Sequence, residues 1–260
     1  MRMEDLDPDR SRSEYADATY EDLRWLGVRW QEGPDKGGPF GPYLQSKRRN
    51  FYLETWKKLH RGGFLFPCRC SRKDLQFALG APHEASGLSV SSVEPPEDEP
   101  IYPGTCRTNM SYTLPVSTRQ EAESPDGLNW RFRVPDGEVI EFEDGYLGRQ
   151  RFVAGVDFGD FVVWRRDGTP SYQLACVTDD SMMRITEVVR GADLLKSTAR
   201  QILLYRALGI PTPKWFHCRL ILDQYGRRLA KRNAALSLGA LRQRGVTPMN
   251  ILAADLPRSA

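Results

Sequence analysis

The sequence predicts an α/β fold, a doubly wound and largely parallel sheet that carries a β-rich insertion. Helix-period segments lie near the start and towards the end of the chain, and strand-like apolar runs follow or precede them. Between them the pattern switches to two-residue alternation punctuated by Asp-Gly pairs. With 260 residues, 40% hydrophobic and 27% charged, the chain can bury a real core in one or two domains.

The first helix is predicted over 13–26, where Ala16, Tyr20 and Leu23 recur at helical spacing and Gly27 can supply a left-handed cap. The Gly- and Pro-rich stretch 33–43 predicts a loop. A second helix is predicted over 46–60, with Ser46 as N-cap, Tyr52, Trp56 and Leu59 on one face, and Gly62-Gly63 as the stop. Residues 64–67 read as a short strand leading into Cys68, and 80–100 as a Ser/Pro/Glu-rich loop. Trp130, Phe132 and Val134 alternate with arginines, so a half-buried strand is expected there. Asp136-Gly137 would turn it back as a hairpin into 138–143. A second hairpin is expected from 161–164 through Asp167-Gly168 into 171–177. The β-branched run 185–189 predicts a buried parallel strand, followed by a helix over 197–208 closed by Gly209. A strand at 220–222, a basic loop at 224–232 and a short helix at 237–244, ended by Gly245 and Pro248, complete the chain.

Composition excludes several function classes. The start, MRMEDLDPDR, is too acidic for a signal peptide, and no apolar run approaches the ~18 residues of a spanning helix. Five cysteines, an odd number, argue for a reducing cytoplasm rather than a disulfide scaffold. Charge is segregated: 1–35 hold ten acids against five bases, 46–73 hold nine bases against Glu54, and 214–245 hold eight bases against Asp223. Two basic blocks on a chain of net charge +3 suit a polyanion, although solvated helix faces are the plain alternative.

Three constellations carry chemistry. Cys68-x-Cys70 with Cys106 offers three thiolates to a tetrahedral metal such as zinc. Tyr102 or His83 could supply the fourth ligand, and ligand chemistry alone favours His83, since phenolates are uncommon on zinc. Arg190 closes an apolar strand, where ligand crevices of parallel sheets lie, and can hold a carboxylate with Tyr172 beside it. The alternative is a structural pair with Asp193. Gly226-Arg-Arg-Leu-Ala-Lys-Arg232 is a flexible basic loop able to clamp nucleotide phosphates, or simply an exposed turn. Cys176 and Cys218 read as core residues in strands, and His217 as an ordinary hydrogen-bonded strand histidine.

Taken together, Arg2-Met-Glu-Asp5, Tyr43-Leu-Gln-Ser-Lys-Arg48, Pro67-Cys-Arg-Cys70, Gly159-Asp-Phe-Val162, Asp167-Gly-Thr-Pro-Ser-Tyr-Gln173, Val188-Val-Arg-Gly-Ala-Asp193, Ser197-Thr-Ala-Arg-Gln201 and Arg228-Leu-Ala-Lys-Arg232 resemble, in order, the catalytic part of the glutamyl-tRNA synthetases, class I enzymes. The Cys-x-Cys and Tyr-x-x-x-Cys pair, and the end of the chain soon after the basic loop, are most similar to the short branch that acts on tRNA(Asp) carrying queuosine. The resemblance covers residues 1 to about 252.

That resemblance implies a Rossmann-like catalytic domain in two halves, 1–66 and 171–236. It implies an insertion at 67–170 with a zinc knuckle and β-hairpins, a helical segment at 237–260 and no anticodon-binding domain. It implies Glu4, Tyr172 and Arg190 as glutamate contacts, Arg228, Leu229, Ala230, Lys231 and Arg232 as the ATP loop with Lys231 catalytic, and Cys68, Cys70, Tyr102 and Cys106 as ligands of a structural Zn²⁺. The implied substrates are glutamate, ATP with Mg²⁺, and queuosine-bearing tRNA(Asp), handled by a cytoplasmic monomer without membrane contact. Ala230 stands where the family usually has serine, a loss of about 1 kcal/mol of hydrogen bonding. The family's HIGH segment would fall before Met1, so weak or no turnover is expected of these residues alone. A tRNA-binding remnant and a fragment of an ordinary glutamyl-tRNA synthetase are the alternatives.

Overall fold

The computed structural model describes residues 1–7, 11–71, 74, 101–107, 124–220 and 237–255. They fall into two compact units: Met1–Arg48 with Leu220–Ala260, and Arg49–Arg219.

In the first unit, α1 runs Ser13–Trp25 and ends at Gly27, whose φ of 82° is left-handed. A 3₁₀ turn spans Gln45–Lys47. Ser46 does not cap the following helix as expected: its backbone N–H and its hydroxyl both donate to the Asp5 carboxylate, at 2.9 and 2.6 Å. The N-terminal segment is thereby tied down beside a bridge between Met3 and Leu44. Gly38 lets the chain close under Tyr43, because a Cβ there would lie 2.3 Å from the Tyr43 hydroxyl, which donates to Glu32 at 2.5 Å. Two short helices follow in this unit, α5 at Leu238–Gln243 and α6 at Pro248–Asp255. Ser237 caps α5 as expected, accepting from the Ala240 N–H. Arg242 pairs with Glu21 of α1 at 2.9 Å. The second helix falls within the helical segment that the resemblance implies at 237–260, although the local pattern reads Pro248 as a stop. It instead occupies a helix start, where the missing N–H costs nothing.

The second unit holds α2 (Arg49–Arg61), β1 (Leu65–Cys68), β2 (Asn129–Phe132), β3 (Val139–Asp144), β4 (Gly148–Val153), β5 (Phe161–Trp164), α3 (Tyr172–Met182), β6 (Glu187–Gly191), α4 (Leu195–Leu208) and β7 (Lys214–Cys218). The strands form an antiparallel sheet of order β1-β2-β5 and a mixed sheet of order β4-β3-β7-β6. In the mixed sheet β6, β7 and β3 are parallel, and β4 is antiparallel to β3. Helices α2 and α4 pack on α3. Tyr52, Trp56 and Leu59, one face of α2, are fully buried, and Trp56 meets Trp130 of β2 edge-on with centroids 5.0 Å apart.

Several expectations are corrected. The largely parallel sheet is mixed among the described strands. Asp136-Gly137 does form a turn, with Gly137 at φ 81°, but it joins strands of different sheets. Trp130, Arg131 and Phe132 are all buried, so both faces of β2 are covered, and its two edges pair with β1 and β5. The arginines do not alternate towards solvent: Arg131 donates to the Asp160 carbonyl at 2.8 Å and lies 4.2 Å above the Tyr102 ring.

The second hairpin is short, closing by a bridge between Trp164 and Pro170. Residues 172–177, expected as its returning strand, begin α3. Apolar runs do not distinguish a buried strand from a buried helix, and here all of Leu174–Asp180 is buried. Ser171 settles the choice by accepting from the Leu174 N–H. Ser171→Ala should therefore lower stability by about 1 kcal/mol, read as a shift of the urea midpoint, and an unchanged midpoint would deny the cap. Among the described strands the run 185–189 lies at an edge, for β6 pairs there with β7 alone, and Val189 is 61% exposed. The strand β7 at Lys214–Cys218 was not expected, and of the strand expected at 220–222, residues 221–222 lie outside the described residues.

Candidate active site and metal centre

The ladder of β1 and β2 pairs Cys68 with Asn129, and the Asn129 amide donates to the Cys70 carbonyl at 3.4 Å, so both cysteines are fixed by the sheet edge. The segment 101–107 brings Tyr102 and Cys106 against them. The three sulfurs lie within 4.8 Å of one another, and all are free thiols. Sγ of Cys70 and Cys106 are 3.5 Å apart, and the Tyr102 oxygen is 3.5 Å from Sγ of Cys68 and 3.8 Å from Sγ of Cys70. Zn–S bonds of about 2.3 Å and Zn–O bonds of about 2.0 Å in a tetrahedron place ligand atoms roughly 3.5–3.8 Å apart. The donor set therefore fits zinc without rearrangement of these three contacts.

The donors differ in acidity. Burial raises the Cys106 thiol, but the Arg69 backbone N–H and the Tyr102 hydroxyl outweigh it and bring the group down to about 7. Cys70 is pushed up to about 11, by burial and then by its bond to Cys106. Burial and the Cys68 contact hold the Tyr102 phenol well above its ordinary range. Tyr102 also accepts from the Cys106 N–H at 2.6 Å, and the Arg131 guanidinium over its ring favours negative charge on the oxygen.

The second cluster is built on the parallel sheet. Arg190 and His217 are register partners on β6 and β7, and Asp144 ends β3 on the other side of β7. The Arg190 guanidinium donates through Nη2 to Thr198 Oγ1 at 2.5 Å and to Gln201 Oε1 at 2.9 Å, and through Nε to His217 Nε2 at 3.2 Å. Thr198 and Gln201 share a face of α4 at i, i+3. Among the described residues Nη1 has only a 3.5 Å contact, with the Tyr172 hydroxyl at the start of α3. Arg190 makes no ion pair among the described residues, so the expected alternative of a pair with Asp193 is not what the structure contains. The Gln201 amide nitrogen, buried, is a further donor without a partner there.

Asp144 accepts from His217 Nδ1 at 2.6 Å and from the backbone N–H groups of Tyr146, Leu147 and His217. Burial would raise its carboxyl, but these donors bring it down to about 2. His217 is lowered, chiefly by burial. A base with a lowered folded value binds fewer protons folded than unfolded, so its contribution to stability is complete above pH 6.5 and is lost as acid protonates the unfolded chain. Asp144 works at lower pH: its contribution is present above 3.8 and is lost towards 2. The urea midpoint is accordingly expected to fall in two stages on acidification, and His217→Gln should remove the stage nearer neutrality. A midpoint flat between pH 7 and 5 would contradict a buried neutral His217.

The catalytic-domain family of the class I tRNA synthetases (E and Q) matches residues 1–255. The chain belongs to this family. It is 46% identical over 252 residues to the glutamyl-Q tRNA(Asp) synthetase of Symbiobacterium thermophilum, covering 97% of this chain and 73% of that protein. The protein of that name from Nitratidesulfovibrio vulgaris is likewise 46% identical over 251 residues, with 96% and 72% covered. A crystal structure of a glutamate tRNA ligase from Elizabethkingia meningosepticum, in complex with its amino acid, superposes with a TM-score of 0.68 at 29% identity over 90% of this chain. The chain spans 45% of the length of that structure.

For a synthetase of this class, the structure brings together some of the expected site residues. Tyr172 and Arg190 are in contact, as are Cys68, Cys70, Tyr102 and Cys106. Glu4 belongs to the other compact unit, where it is paired with Arg2 at 2.9 Å. Lys231, the rest of 228–232 and His83 lie outside the described residues. Cys176 is buried as expected, but in a helix, and Cys218 is exposed at the end of β7 rather than in the core. Sequence reading missed Thr198, Gln201 and His217 as neighbours of Arg190, and Asp144 as the partner of His217. The Ser197-Thr-Ala-Arg-Gln201 motif held two of them, but nothing in it names their partner. No helix among the described residues is long and apolar enough to cross a membrane.

Proposed function

We propose that this chain is the catalytic part of a glutamyl-Q tRNA(Asp) synthetase: it activates glutamate with ATP and passes it to the queuosine base of tRNA(Asp). The observation that carries the reading is Arg190, a partly buried guanidinium at the end of a parallel strand, held by neutral groups and with spare hydrogen-bonding capacity at Nη1. Such a cation is suited to a carboxylate. The 46% identity to proteins named for that activity supports the choice of substrate.

In this reading Arg190 and Tyr172 hold a substrate carboxylate and Glu4 its ammonium. The glutamate α-carboxylate attacks the α-phosphorus of ATP, with Mg²⁺, and pyrophosphate leaves. Lys231, within the loop Arg228, Leu229, Ala230, Lys231 and Arg232, balances the charge on the triphosphate. A nucleophile of the modified base then attacks the adenylate carbonyl and AMP leaves. Positioning and electrostatics dominate, and little acid–base chemistry is asked of the protein.

Cys68, Cys70, Tyr102 and Cys106 would hold a structural zinc ion, which ties residues 101–107 to the end of β1. Free thiols in these positions are consistent with a cytoplasmic protein, and a monomer suffices for the reaction. The test is incorporation of labelled glutamate into tRNA(Asp) with and without queuosine, together with glutamate-dependent pyrophosphate exchange. Turnover is expected to be weak, and any label to appear in queuosine-bearing tRNA(Asp) alone. Charging of tRNA(Glu) instead would favour an ordinary glutamyl-tRNA synthetase.

A further inference from the structure

Arg190 is aimed by more than its own strand. A line of three side chains crosses the mixed sheet from β3 through β7 to β6: Asp144, His217, Arg190. Each link is a hydrogen bond whose direction can be assigned. Asp144 is an ionised carboxylate that already accepts from three backbone N–H groups, so it offers only acceptors. His217 Nδ1, 2.6 Å from it, must therefore carry a proton. The other ring nitrogen faces two groups. One is Arg190 Nε–H, which can only donate, at 3.2 Å. The other is Thr198 Oγ1, at 3.0 Å, which accepts from Arg190 Nη2 and whose single proton has Nε2 and, at 3.2 Å, the Leu194 carbonyl within reach. A bare Nε2 accepts from the Arg190 Nε–H and from the Thr198 hydroxyl turned towards it, whereas a protonated Nε2 would confront the Arg190 Nε–H.

The geometry points to His217 and Asp144 as positioning residues that hold the Arg190 guanidinium in its carboxylate-binding orientation, with His217 kept as the neutral Nδ1–H tautomer. Asp144 selects the tautomer, and His217 supplies the acceptor that fixes Nε. Thr198 and Gln201 fix Nη2, which leaves Nη1 for the ligand. The inference rests on the reading of Arg190 as a glutamate contact. Among the described residues the charged groups facing His217 are Asp144 from β3, Arg190 from β6 and Asp193 from the 3₁₀ turn before α4, with α4 contributing the neutral Thr198. Lowering of its basicity by burial and by Arg190 agrees with a neutral ring. Protonation would place a second positive charge against the guanidinium and cost the site its geometry.

Two measurements on the full chain test this. The first is ¹⁵N NMR of the imidazoles, of which the protein has three. His217 is expected to show a protonated Nδ1 and a bare Nε2 at pH 7.5. An Nε2–H tautomer or an imidazolium there would overturn the inference, whatever the ligand.

The second is calorimetric titration with glutamate. His217→Asn keeps a donor near Asp144 but lacks an acceptor for Arg190, and should weaken binding about tenfold. The amide of His217→Gln can reach the Nε2 position, and should recover most of that loss. Asp144→Asn should weaken binding and shift the His217 ¹⁵N signature together. Equal affinity in His217→Asn and wild type, with Arg190→Ala strongly impaired, would overturn the positioning role alone. Unaltered affinity in Arg190→Ala would instead overturn the reading of Arg190 as a glutamate contact.

Discussion

Arg190→Ala is expected to weaken glutamate binding at least about thirtyfold, because truncating one member of a hydrogen-bonded charge pair costs 2–5 kcal/mol. The effect is large because no other cation is needed at that position to satisfy the protein. Its Nη2 and Nε are engaged by Thr198, Gln201 and His217, all neutral, while Nη1 has only a long contact to Tyr172. Among the described residues no carboxylate pairs with the positive charge, which suits it to an anionic ligand. Arg190→Lys should rescue little, since a single ammonium cannot serve three directions at once. Tyr172→Phe, which removes one neutral hydroxyl from the rim, should cost about tenfold or less. Calorimetric titration with glutamate checks all three. An Arg190→Ala protein that is folded by circular dichroism and binds glutamate as wild type does would remove the proposed site.

Removing the metal should produce the second large effect. One zinc per chain is expected on purification, and structural zinc sites contribute on the order of 10 kcal/mol to the fold around them. Cys106→Ser should abolish stoichiometric zinc and expose the chain near residues 101–107 to protease, while leaving the mixed sheet intact. Cys68→Ser should be harsher, because Cys68 is fully buried and sits in the β1–β2 ladder. Tyr102→Phe separates the two candidates for the fourth ligand. Loss of zinc is expected, since the Tyr102 oxygen already lies 3.5 and 3.8 Å from two sulfurs. Retention of a full equivalent would hand that place to another residue such as His83. Acid should also release the metal, because the thiols must be deprotonated to bind it. Metal analysis of the dialysed variants reads each outcome.

The two clusters were legible to different degrees. The thiol site could be read from Cys68-x-Cys70 and Tyr102-x-x-x-Cys106, because close spacing within each pair limits where the ligand atoms can go. What spacing could not supply was the fourth ligand, which depends on how 101–107 folds against β1. Arg190 and Tyr172 could be picked out individually, but His217 looked like any strand histidine. Its importance comes from Asp144, 73 residues away, and from Arg190, 27 residues away. Neither separation leaves a local trace.

Helices α1, α2 and α4 followed from the chain alone, since apolar spacing, a terminal glycine and a stop are contained within some fifteen residues of each helix. Membership of the synthetase family was equally readable, being carried by short motifs in fixed order. Strand partnership was not. β2 and β3 are separated by one tight turn and yet join different sheets, and Ser171–Val177 has an apolar pattern that suits strand and helix alike. Those choices were made by burial on both faces of β2, by the hydrogen bond of Ser171 to Leu174, and by the meeting of Asp144, His217 and Arg190 across three strands. Pairing energy is gained only when distant segments come into contact, so the folded molecule, and no local stretch of it, selects the partner.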